Sequence, residues 1–393
     1  MRIIFLYPDP PVPWGNAASR WYYVQFRQLT KRGHQVTAFC CSADPEKYRT
    51  EIDHLFPQDE FDLRVFATDQ RGTVIGKIQS LIHPNSYLLS SELKKNLQRE
   101  LAKGYDILHL QSQWVGYISG YHPEKTVMEI HFLHSIDFHS HDPRHIKDYL
   151  IRYYLLKKEK DMVKKFKNKI TLSSRLKDAM TNLSPGHQIT VIPLAIDLSL
   201  YSFIPADKRP DPSTQIVTLI GSMGWIPTYS AAKRIVFNIW PLILSQLPKA
   251  ELRIVGWGAK KISASCDLME NIEIIENVPD IKPYFANASI LLYPPARASG
   301  MKVKVVEAMA FGLPVVSNAD GLEGIPAVDS IHALIAESDQ ELADKAVSLL
   351  KNSEMQERMR NQARNLIEEV IHTDKVLNRL ENTYLNLTKT SQD

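Results

Sequence analysis

The feature that most constrains this chain is an alternation, which occurs twice, of short apolar segments with longer segments of helical periodicity. A short apolar run bounded by turn residues fits a strand that is covered on both faces. Strands that alternate with helices in this way predict parallel sheets enclosed by helices. The predicted strands are Ile3–Tyr7, Gln35–Cys40, Asp106–Leu110, Thr126–Ile130, Lys169–Leu172, Ile189–Pro193, Ile216–Ile220, Leu252–Val255, Ile272–Ile275, Ile290–Tyr293, Pro314–Ser317 and Ala333–Ile335.

A proline-rich stretch separates the two rounds of alternation. Residues 204–213, IPADKRPDPS, hold three prolines and mixed charge, which is typical of a linker. The length of 393 residues also favours two domains. We therefore predict an α/β protein with two doubly wound, Rossmann-like domains, residues 1–203 and 214–372, that face each other across a cleft. Residues 373–393 have no partner strand in the second domain and are predicted to cross back to the first as a helix.

Composition excludes several classes of protein. The hydrophobic fraction of 44% and the charged fraction of 23% are ordinary for a globular chain. The 47 basic and 44 acidic residues give a net charge of +3, well below the basic excess of a dedicated nucleic-acid binder. Three cysteines cannot form a disulfide framework, and no apolar run reaches the roughly 18 residues of a membrane-spanning helix. The N-terminal apolar run ends at Pro8, too early for a signal peptide, so we expect a cytoplasmic protein.

The densest chemical pattern lies in residues 298–324. A turn containing Gly300 precedes a predicted helix that begins at about Lys302, and Glu307 lies within that helix. The N-terminus of a helix presents backbone N–H groups that suit a phosphate, and Lys302 and Lys304 add positive charge. The alternative interpretation is an ordinary loop–helix–strand unit with solvated lysines. Spacing alone does not separate the two.

Five segments occur in an order that resembles family 4 of the retaining glycosyltransferases, which have the GT-B fold. Coverage is nearly the full chain, and the resemblance extends to bacterial sugar transferases of polysaccharide biosynthesis. It implies a hexosyltransferase that moves a sugar from a nucleotide diphosphate, without a cofactor or catalytic metal. UDP-glucose or an analogue is the favoured donor, and a hydroxyl of a glycan or lipid-linked glycan is the acceptor. The segments are PPVPWGNAASR at residues 10–20, YDILHLQSQW at 105–114, VIPLAIDLSLYSF at 191–203, IVTLIGSMGWIPTYSAAKRIV at 216–236 and EAMAFGLPVV at 307–316.

The resemblance also implies site residues. Glu307 matches the second acid of a Glu–seven residues–Glu motif, which binds the donor ribose, whereas Ser299 replaces the first acid, which contacts the donor sugar in relatives. Relatives carry two basic residues after the glycine turn that matches Gly221. This chain has none there before Lys233, so Lys302, Lys304 or Arg297 would supply the charge. The implied donor-binding residues are Gly15, Asn16, Gly221, Ser222, Arg297, Ser299, Gly300, Met301, Lys302, Val303, Lys304 and Glu307, and those that bind the nucleobase are Trp257 and Val278.

Residues 128–145 contain five histidines. They lack the fixed pairing of a zinc site, so we predict no metal. His131 follows a predicted strand and matches the family histidine that contacts the donor sugar, which makes it the predicted catalytic residue. His134 and Asp137 are weaker candidates. Asn16 also fits the N-cap of the first helix, a function compatible with donor binding.

Residues 157–169 hold seven lysines and two acids. Such a run is typical of a solvated helix face. Because an apolar and aromatic segment, DYLIRYYLL, precedes it, the run also fits the inner face of an anionic membrane. Both interpretations stay open.

Two other functions also stay open. A sugar-nucleotide epimerase shares the fold and needs no acceptor, although the EAMA motif argues against it. The serine at position 299 keeps open a nucleotide-sugar-binding protein without transferase activity.

Overall fold

The computed structural model describes residues 1–14, 16–57, 60–69, 88–138, 145–211, 213–263, 270–276, 278 and 280–390. The chain divides into two compact units. The first holds Met1–His134, Arg144–Asp197 and Thr373–Asp393, and the second holds Ser135–Pro143 and Leu198–His372. The division falls before the stretch expected to be a linker, residues 204–213. That stretch is hydrogen-bonded within the second unit, where the Ile204 amide donates to the Phe311 carbonyl at 3.0 Å.

The first unit is built on a parallel sheet with strand order β3-β2-β1-β4-β5-β6-β7. The order reverses between β1 and β4, which is the switch point of a doubly wound sheet. Its strands are β1 (Arg2–Tyr7), β2 (Gln35–Ser42), β3 (Asp62–Ala67), β4 (Ile107–Gln111), β5 (Thr126–Ile130), β6 (Asn168–Thr171) and β7 (Gln188–Val191); its helices are α1 (Ala17–Lys31), α2 (Pro45–Leu55), α3 (Ser91–Leu101), the single turn α4 (His134–Asp137), which runs into the second unit, α5 (Ile146–Lys165) and α6 (Ser174–Leu183).

The second unit is built on a six-stranded parallel sheet with order β10-β9-β8-β11-β12-β13. The order reverses between β8 and β11. Its strands are β8 (Ile216–Ile220), β9 (Glu251–Val255), β10 (Ile272–Ile275), β11 (Ile290–Tyr293), β12 (Val315–Ser317) and β13 (Leu334–Ile335); its helices are α7 (Ile226–Arg234), α8 (Trp240–Gln246), α9 (Lys260–Ser263), α10 (Lys282–Ala286), α11 (Val303–Phe311), α12 (Asp339–Leu350) and α13 (Ser353–Val370).

A last helix, α14 (Thr373–Thr390), belongs to the first unit. On α14, Glu381 accepts hydrogen bonds from Arg32 at 2.5 Å and from His34 at 2.7 Å. Tyr384, further along the helix, is fully buried. The first unit is therefore assembled from both ends of the sequence.

The expected α/β class with two parallel sheets is confirmed, and all twelve predicted strands form. Strand β3 was not predicted, because its residues are only half-buried and Asp62 and Arg64 interrupt the apolar pattern. Helix α7 begins at Ile226 and has a proline in its first turn. A π-helical segment, Ile235–Ile239, then separates α7 from α8.

The lysine-rich stretch is not one helix face. Helix α5 ends at Lys165, and β6 begins at Asn168. The side chain of Lys169 is buried in the sheet, where its Nζ donates to the Phe166 carbonyl at 2.6 Å. The lysine run thus divides between α5 and the strand predicted at Lys169–Leu172, and a solvated helix face extends no further than Lys165. None of the described helices is both long enough and apolar enough to cross a membrane.

Candidate functional site

The switch point of the second sheet brings three chain segments together. Ligands of open α/β sheets bind beyond the carboxyl ends of the strands at such a reversal. Gly221 follows β8 there, and Tyr293 ends β11. The first turn of α11 reaches the same place, since a Cβ added at Gly221 would lie 2.6 Å from Cε of Lys304. Glycine at position 221 therefore leaves room for this lysine.

The hydrogen-bond and ring contacts of Lys304 are with uncharged groups. Its Nζ donates to Oγ1 of Thr228 at 2.9 Å and lies 4.6 Å from the centroid of the Tyr293 ring. No carboxylate among the described residues forms an ion pair with it. Loss of solvation, with a smaller contribution from Lys302, lowers the pKa of Lys304 to about 7. An anion bound at this point would supply the missing counter-charge.

The start of α11 is also electropositive. Lys302 occupies the N-cap position, and no side chain caps the helix. The Nζ of Lys302 turns back to donate to the carbonyl of Ser299 at 2.7 Å and to that of Gly300. Gly300 has a φ of 72°, in the region that favours glycine. Lys302 thus stabilises the turn and adds its charge to the positive end of the helix dipole.

Glu307 lies one turn along the helix from Lys304, so both residues share a face of α11. Its carboxylate is buried, and Oε1 accepts a hydrogen bond from the hydroxyl of Tyr201 at 2.9 Å. Tyr201 was not among the predicted site residues. Its place in the 191–203 segment, which carries part of the family resemblance, could have indicated it.

Asp137 approaches the same turn from an earlier part of the chain. Its Oδ1 accepts from both the amide and the hydroxyl of Ser299, each at 2.7 Å. Its Oδ2 is buried and has no partner among the described residues. Desolvation raises the pKa of Asp137 to about 6, against the opposing effects of Ser299 and of the charge on Lys302.

The other predicted residues of the second unit lie around this core. Trp257 follows β9 and is 60% exposed. It covers the loop after β8, because a Cβ added at Gly224 would lie 2.4 Å from its ring. Ser222 is exposed and accepts a hydrogen bond from the Gly224 amide at 3.2 Å. Met301 and Val303 are buried, Arg297 is exposed, and Val278 is half-buried.

The first unit contains a buried carboxylate, Glu129 on β5. Burial by itself would raise its pKa, but hydrogen bonds from His109 and His131 outweigh this, so the pKa lies well below its ordinary value. Oε1 accepts from Trp21 at 2.6 Å and from His131 at 2.9 Å, and Oε2 accepts from Gln25 at 3.1 Å, Gln111 at 2.8 Å and His109 at 3.1 Å.

The Glu129 network holds His131 in place just beyond the end of β5. It continues through His109, whose Nδ1 lies 2.5 Å from the hydroxyl of Tyr384 on α14. Glu129 was not among the predicted site residues. A carboxylate on a buried strand, two residues before His131, could have indicated a partner for that histidine. The structure therefore gives His131 a fixed orientation within the first unit.

His134, a weaker candidate, packs against Trp114, with ring centroids 5.5 Å apart, and burial lowers its pKa to about 4. A function for it in the site stays a prediction. His139 and His141 lie outside the described residues, and within the described ranges no three acidic, histidine or cysteine side chains form a group that could hold a metal.

The loop before α1 contributes Asn16. Its Oδ1 accepts a hydrogen bond from the Ser19 amide at 3.0 Å, so the prediction of an N-cap is confirmed. Its predicted contact with the donor stays a prediction. Gly15, the other residue expected in this loop, lies outside the described residues.

Two family models match the two halves of the sequence. The model described as "Glycosyltransferase Family 4" matches residues 18–200. The model described as "Glycosyl transferases group 1" matches residues 214–352. An uncharacterized glycosyltransferase of Haemophilus influenzae is 30% identical over 87 residues, which are 21% of this chain and 24% of that protein. The match thus spans about a quarter of the length of that curated relative.

Solved structures resemble the whole fold. Sucrose-phosphate synthase from Thermosynechococcus elongatus superposes with a TM-score of 0.72 at 15% identity, over 99% of both chains. Anabaena HepE, in complex with UDP-glucose, superposes with a TM-score of 0.67 at 14% identity, over 98% of this chain and 99% of that one. At this level of identity the likeness shows a shared fold.

Proposed function

Because the chain belongs to family 4 of the glycosyltransferases, which have the GT-B fold, we propose that it transfers a hexose from a UDP-sugar to a hydroxyl acceptor. UDP-glucose or an analogue is the favoured donor, and the acceptor is a glycan or a lipid-linked glycan. The complex of HepE with UDP-glucose supports this choice of donor. The anomeric configuration would be retained.

The observation that carries the proposal is the environment of Lys304. Glycosyl transfer leaves negative charge on the departing diphosphate, and preorganised positive groups lower the barrier. Lys304 lies at the switch point, in the N-terminal turn of α11, and its contacts with Thr228 and Tyr293 are with uncharged groups. We propose that it binds the diphosphate together with the backbone amides of that turn.

Glu307 and Trp257 would bind the nucleoside. Glu307 would accept hydrogen bonds from the ribose hydroxyls while it keeps its contact with Tyr201. Trp257 would stack on the base, since its ring is largely exposed at the carboxyl end of β9. Both contacts belong to UDP rather than to the sugar.

The test is the affinity for UDP, measured by calorimetry. Glu307→Ala should weaken UDP binding roughly ten- to hundredfold, because a hydrogen bond to a charged group contributes about 1.5–3 kcal/mol. Glu307→Gln keeps an acceptor for Tyr201 and separates loss of charge from loss of packing. Glu354→Ala, an exposed glutamate on α13, is the matched control. Wild-type UDP affinity in a folded Glu307→Ala protein would remove this residue from the site.

An acceptor screen separates the three candidate functions. A transferase releases UDP when a suitable acceptor is added. An epimerase converts the sugar nucleotide without any acceptor. A binding protein without transferase activity binds the donor and turns over nothing.

His131 is the proposed catalytic residue of the first unit, in contact with the donor sugar. Its hydrogen bond to Glu129 would set its orientation during turnover. His131→Ala should therefore reduce turnover far more than UDP affinity. A lower melting temperature with unchanged specific activity would instead identify a structural histidine.

Helix α5 supports a further part of the proposal, contact with an anionic membrane surface. Its first two turns carry five exposed apolar or aromatic side chains, and exposed lysines follow on the same helix. Clusters of lysines near an anionic bilayer attract lipid headgroups, and exposed aromatic and apolar side chains beside them suit the membrane interface. The side chains are Ile146, Tyr149, Leu150, Ile151 and Tyr153, followed by Lys157, Lys160 and Lys164.

A further inference from the structure

The carboxylate of Asp137 has no function in the UDP contacts above, yet it lies against the same turn. The side chain is 1% exposed. Oδ1 is saturated by the amide and hydroxyl of Ser299, whereas Oδ2 is buried and has no partner in the described part of the chain. A buried carboxylate oxygen without a donor is costly, so such a group in a native fold calls for an explanation.

The surroundings of Asp137 connect it to the proposed diphosphate site. Its charge interacts with that of Lys302, which caps α11, and with Tyr293, whose ring contacts Lys304. The negative charge of Glu323 opposes that of Asp137. Lys302 donates hydrogen bonds to the turn carbonyls of Ser299 and Gly300. Oδ2 is therefore left without a donor among the described residues.

The chemistry of Oδ2 restricts what that group is. An ionised carboxylate oxygen only accepts hydrogen bonds, so the partner must be a donor. A phosphate oxygen is excluded by its negative charge. A neutral hydroxyl of a molecule that carries a diphosphate fits both conditions. A nucleotide sugar has such hydroxyls on its ribose and on its glycosyl group. The proposed function assigns the ribose hydroxyls to Glu307, which leaves those of the glycosyl group.

We propose that Oδ2 of Asp137 accepts a hydrogen bond from a hydroxyl of the donor's glycosyl group and thereby helps to determine which sugar is bound. The proposal rests on the proposed function, since it assumes a nucleotide sugar at α11. Ser299 acts as a positioning residue, because its amide and hydroxyl hold Oδ1 and so direct Oδ2. The carboxylate that selects the sugar thus comes from position 137 and not from position 299.

The experiment compares UDP with UDP-hexoses on one set of variants. Dissociation constants for UDP, UDP-glucose, UDP-galactose and UDP-N-acetylglucosamine are measured by calorimetry on wild type, Asp137→Asn and Asp137→Ala. Asp320→Asn is the matched control, because Asp320 also accepts a backbone amide in this loop, from Ala298 at 3.3 Å. Ser299→Ala removes one of the two donors to Oδ1.

We expect the UDP affinity of both Asp137 variants to stay within about twofold of wild type. Their affinity for the UDP-hexose that wild type binds best should fall roughly tenfold or more, as expected for loss of a hydrogen bond to a charged group. Ser299→Ala should show the same preference in weaker form, and Asp320→Asn should show none. Melting temperatures confirm that each variant is folded.

Three results would overturn the inference. Equal weakening of UDP and of every UDP-hexose would mean that Asp137 only supports the turn. An equal gain in affinity for UDP and for every UDP-hexose would mean that Asp137 only balances the charge of Lys302. No change at all would remove it from the site. If wild type binds neither UDP nor any UDP-hexose, the proposed function itself fails, and the inference fails with it.

Discussion

The two units each hold a charged group away from water, and they treat it in opposite ways. In the first unit, Glu129 receives hydrogen bonds on both carboxylate oxygens from five side chains. In the second unit, Lys304 contacts a hydroxyl and an aromatic ring, and no described carboxylate pairs with it. The pKa values follow this difference, since Glu129 is stabilised in its charged form and Lys304 is not.

The Glu129 network is a finished network, in which the protein supplies every partner, whereas the Lys304 site is an unfinished one, in which no described group supplies the counter-charge. A buried charge whose partners are all supplied by the protein serves to position its neighbours, in this case His131. A desolvated charge without a counter-ion is destabilising until a ligand provides one, which is a mark of a functional site. Among the described residues of the second unit, Oδ2 of Asp137 also lacks a hydrogen-bond partner.

The largest expected effect comes from breaking the finished network. Glu129→Ala would leave five buried polar groups without their common acceptor. We expect the free energy of unfolding to fall by about 3–5 kcal/mol, as when one member of a buried charged network is removed. Urea titration measures the loss, with exposed Glu124→Ala as the control. UDP affinity in native buffer should be unchanged. If the free energy of unfolding falls by less than about 1 kcal/mol, the Glu129 network does not stabilise the first unit as inferred.

The second effect concerns the unfinished site. Lys304→Met keeps the length of the side chain and removes its charge, so UDP should bind roughly ten- to hundredfold more weakly. Free wild type must take up a proton on Lys304 to bind an anion, so its UDP affinity should fall as the pH rises above about 7. The variant should lack this dependence, and exposed Lys233→Met should behave like wild type.

Stability provides a check on the same residue. The folded pKa of Lys304, about 7, is below the ordinary value of 10.5, so the unfolded chain binds more protons between these values. Wild type should therefore gain stability as the pH rises through this window, and Lys304→Met should not show that gain. Identical pH profiles for the two proteins would contradict the assignment of a desolvated ammonium.

A smaller effect is expected at Asp137. Its folded pKa, about 6, is above the ordinary value of 3.8, so the folded state binds more protons in this range. Wild type then loses stability as the pH rises from about 4 to 6. Asp137→Asn should be more stable than wild type at neutral pH by about 1–2 kcal/mol, since two pKa units correspond to no more than about 2.7 kcal/mol.

Thermal denaturation of Asp137→Asn at several pH values measures this difference. The gain should vanish below about pH 4, where the wild-type carboxyl is protonated in both states. A variant that is less stable than wild type at neutral pH would show that the charge of Asp137 is supported by the fold.

The smallest effect per residue is expected on α5, where apolar side chains are exposed. Each basic residue near an anionic bilayer contributes about 1 kcal/mol. The protein should sediment with anionic and not with neutral vesicles. Replacement of Lys157, Lys160 and Lys164 by Gln should release it, whereas the same change at Lys94 and Lys95 of α3 should not. Lys165 is left unchanged because its Nζ donates to the Gly116 carbonyl at 2.7 Å.

The sequence predicted most of the fold because parallel strands are short, contiguous and fully buried, as in β1 and β8. It failed at β3, where partial burial weakens the apolar pattern. Elements whose stability depends on distant partners leave little local signal. Residues 157–169 show this, because the lysine run does not indicate where α5 ends, although the strand Lys169–Leu172 that follows was predicted.

The candidate site divides in the same manner. Lys302, Lys304 and Glu307 were apparent because one turn and one helix carry all three. Glu129 was not, because its donors come from α1, β4 and the segment after β5. Asp137 was only a weak candidate, because its partner Ser299 lies 162 residues away. Contacts of this range are fixed by the folded chain and not by local pattern.

Tyr384 has a consequence for the order in which the molecule is made. Its hydroxyl completes the polar chain from His131 through Glu129 and His109, yet it is synthesised after the whole second unit. Strands β4 and β5 are synthesised well before α14, so the hydrogen bond of His109 to Tyr384 cannot form until the C-terminal helix has been made. The environment of His131 is therefore complete only when both ends of the sequence have come together in the first unit.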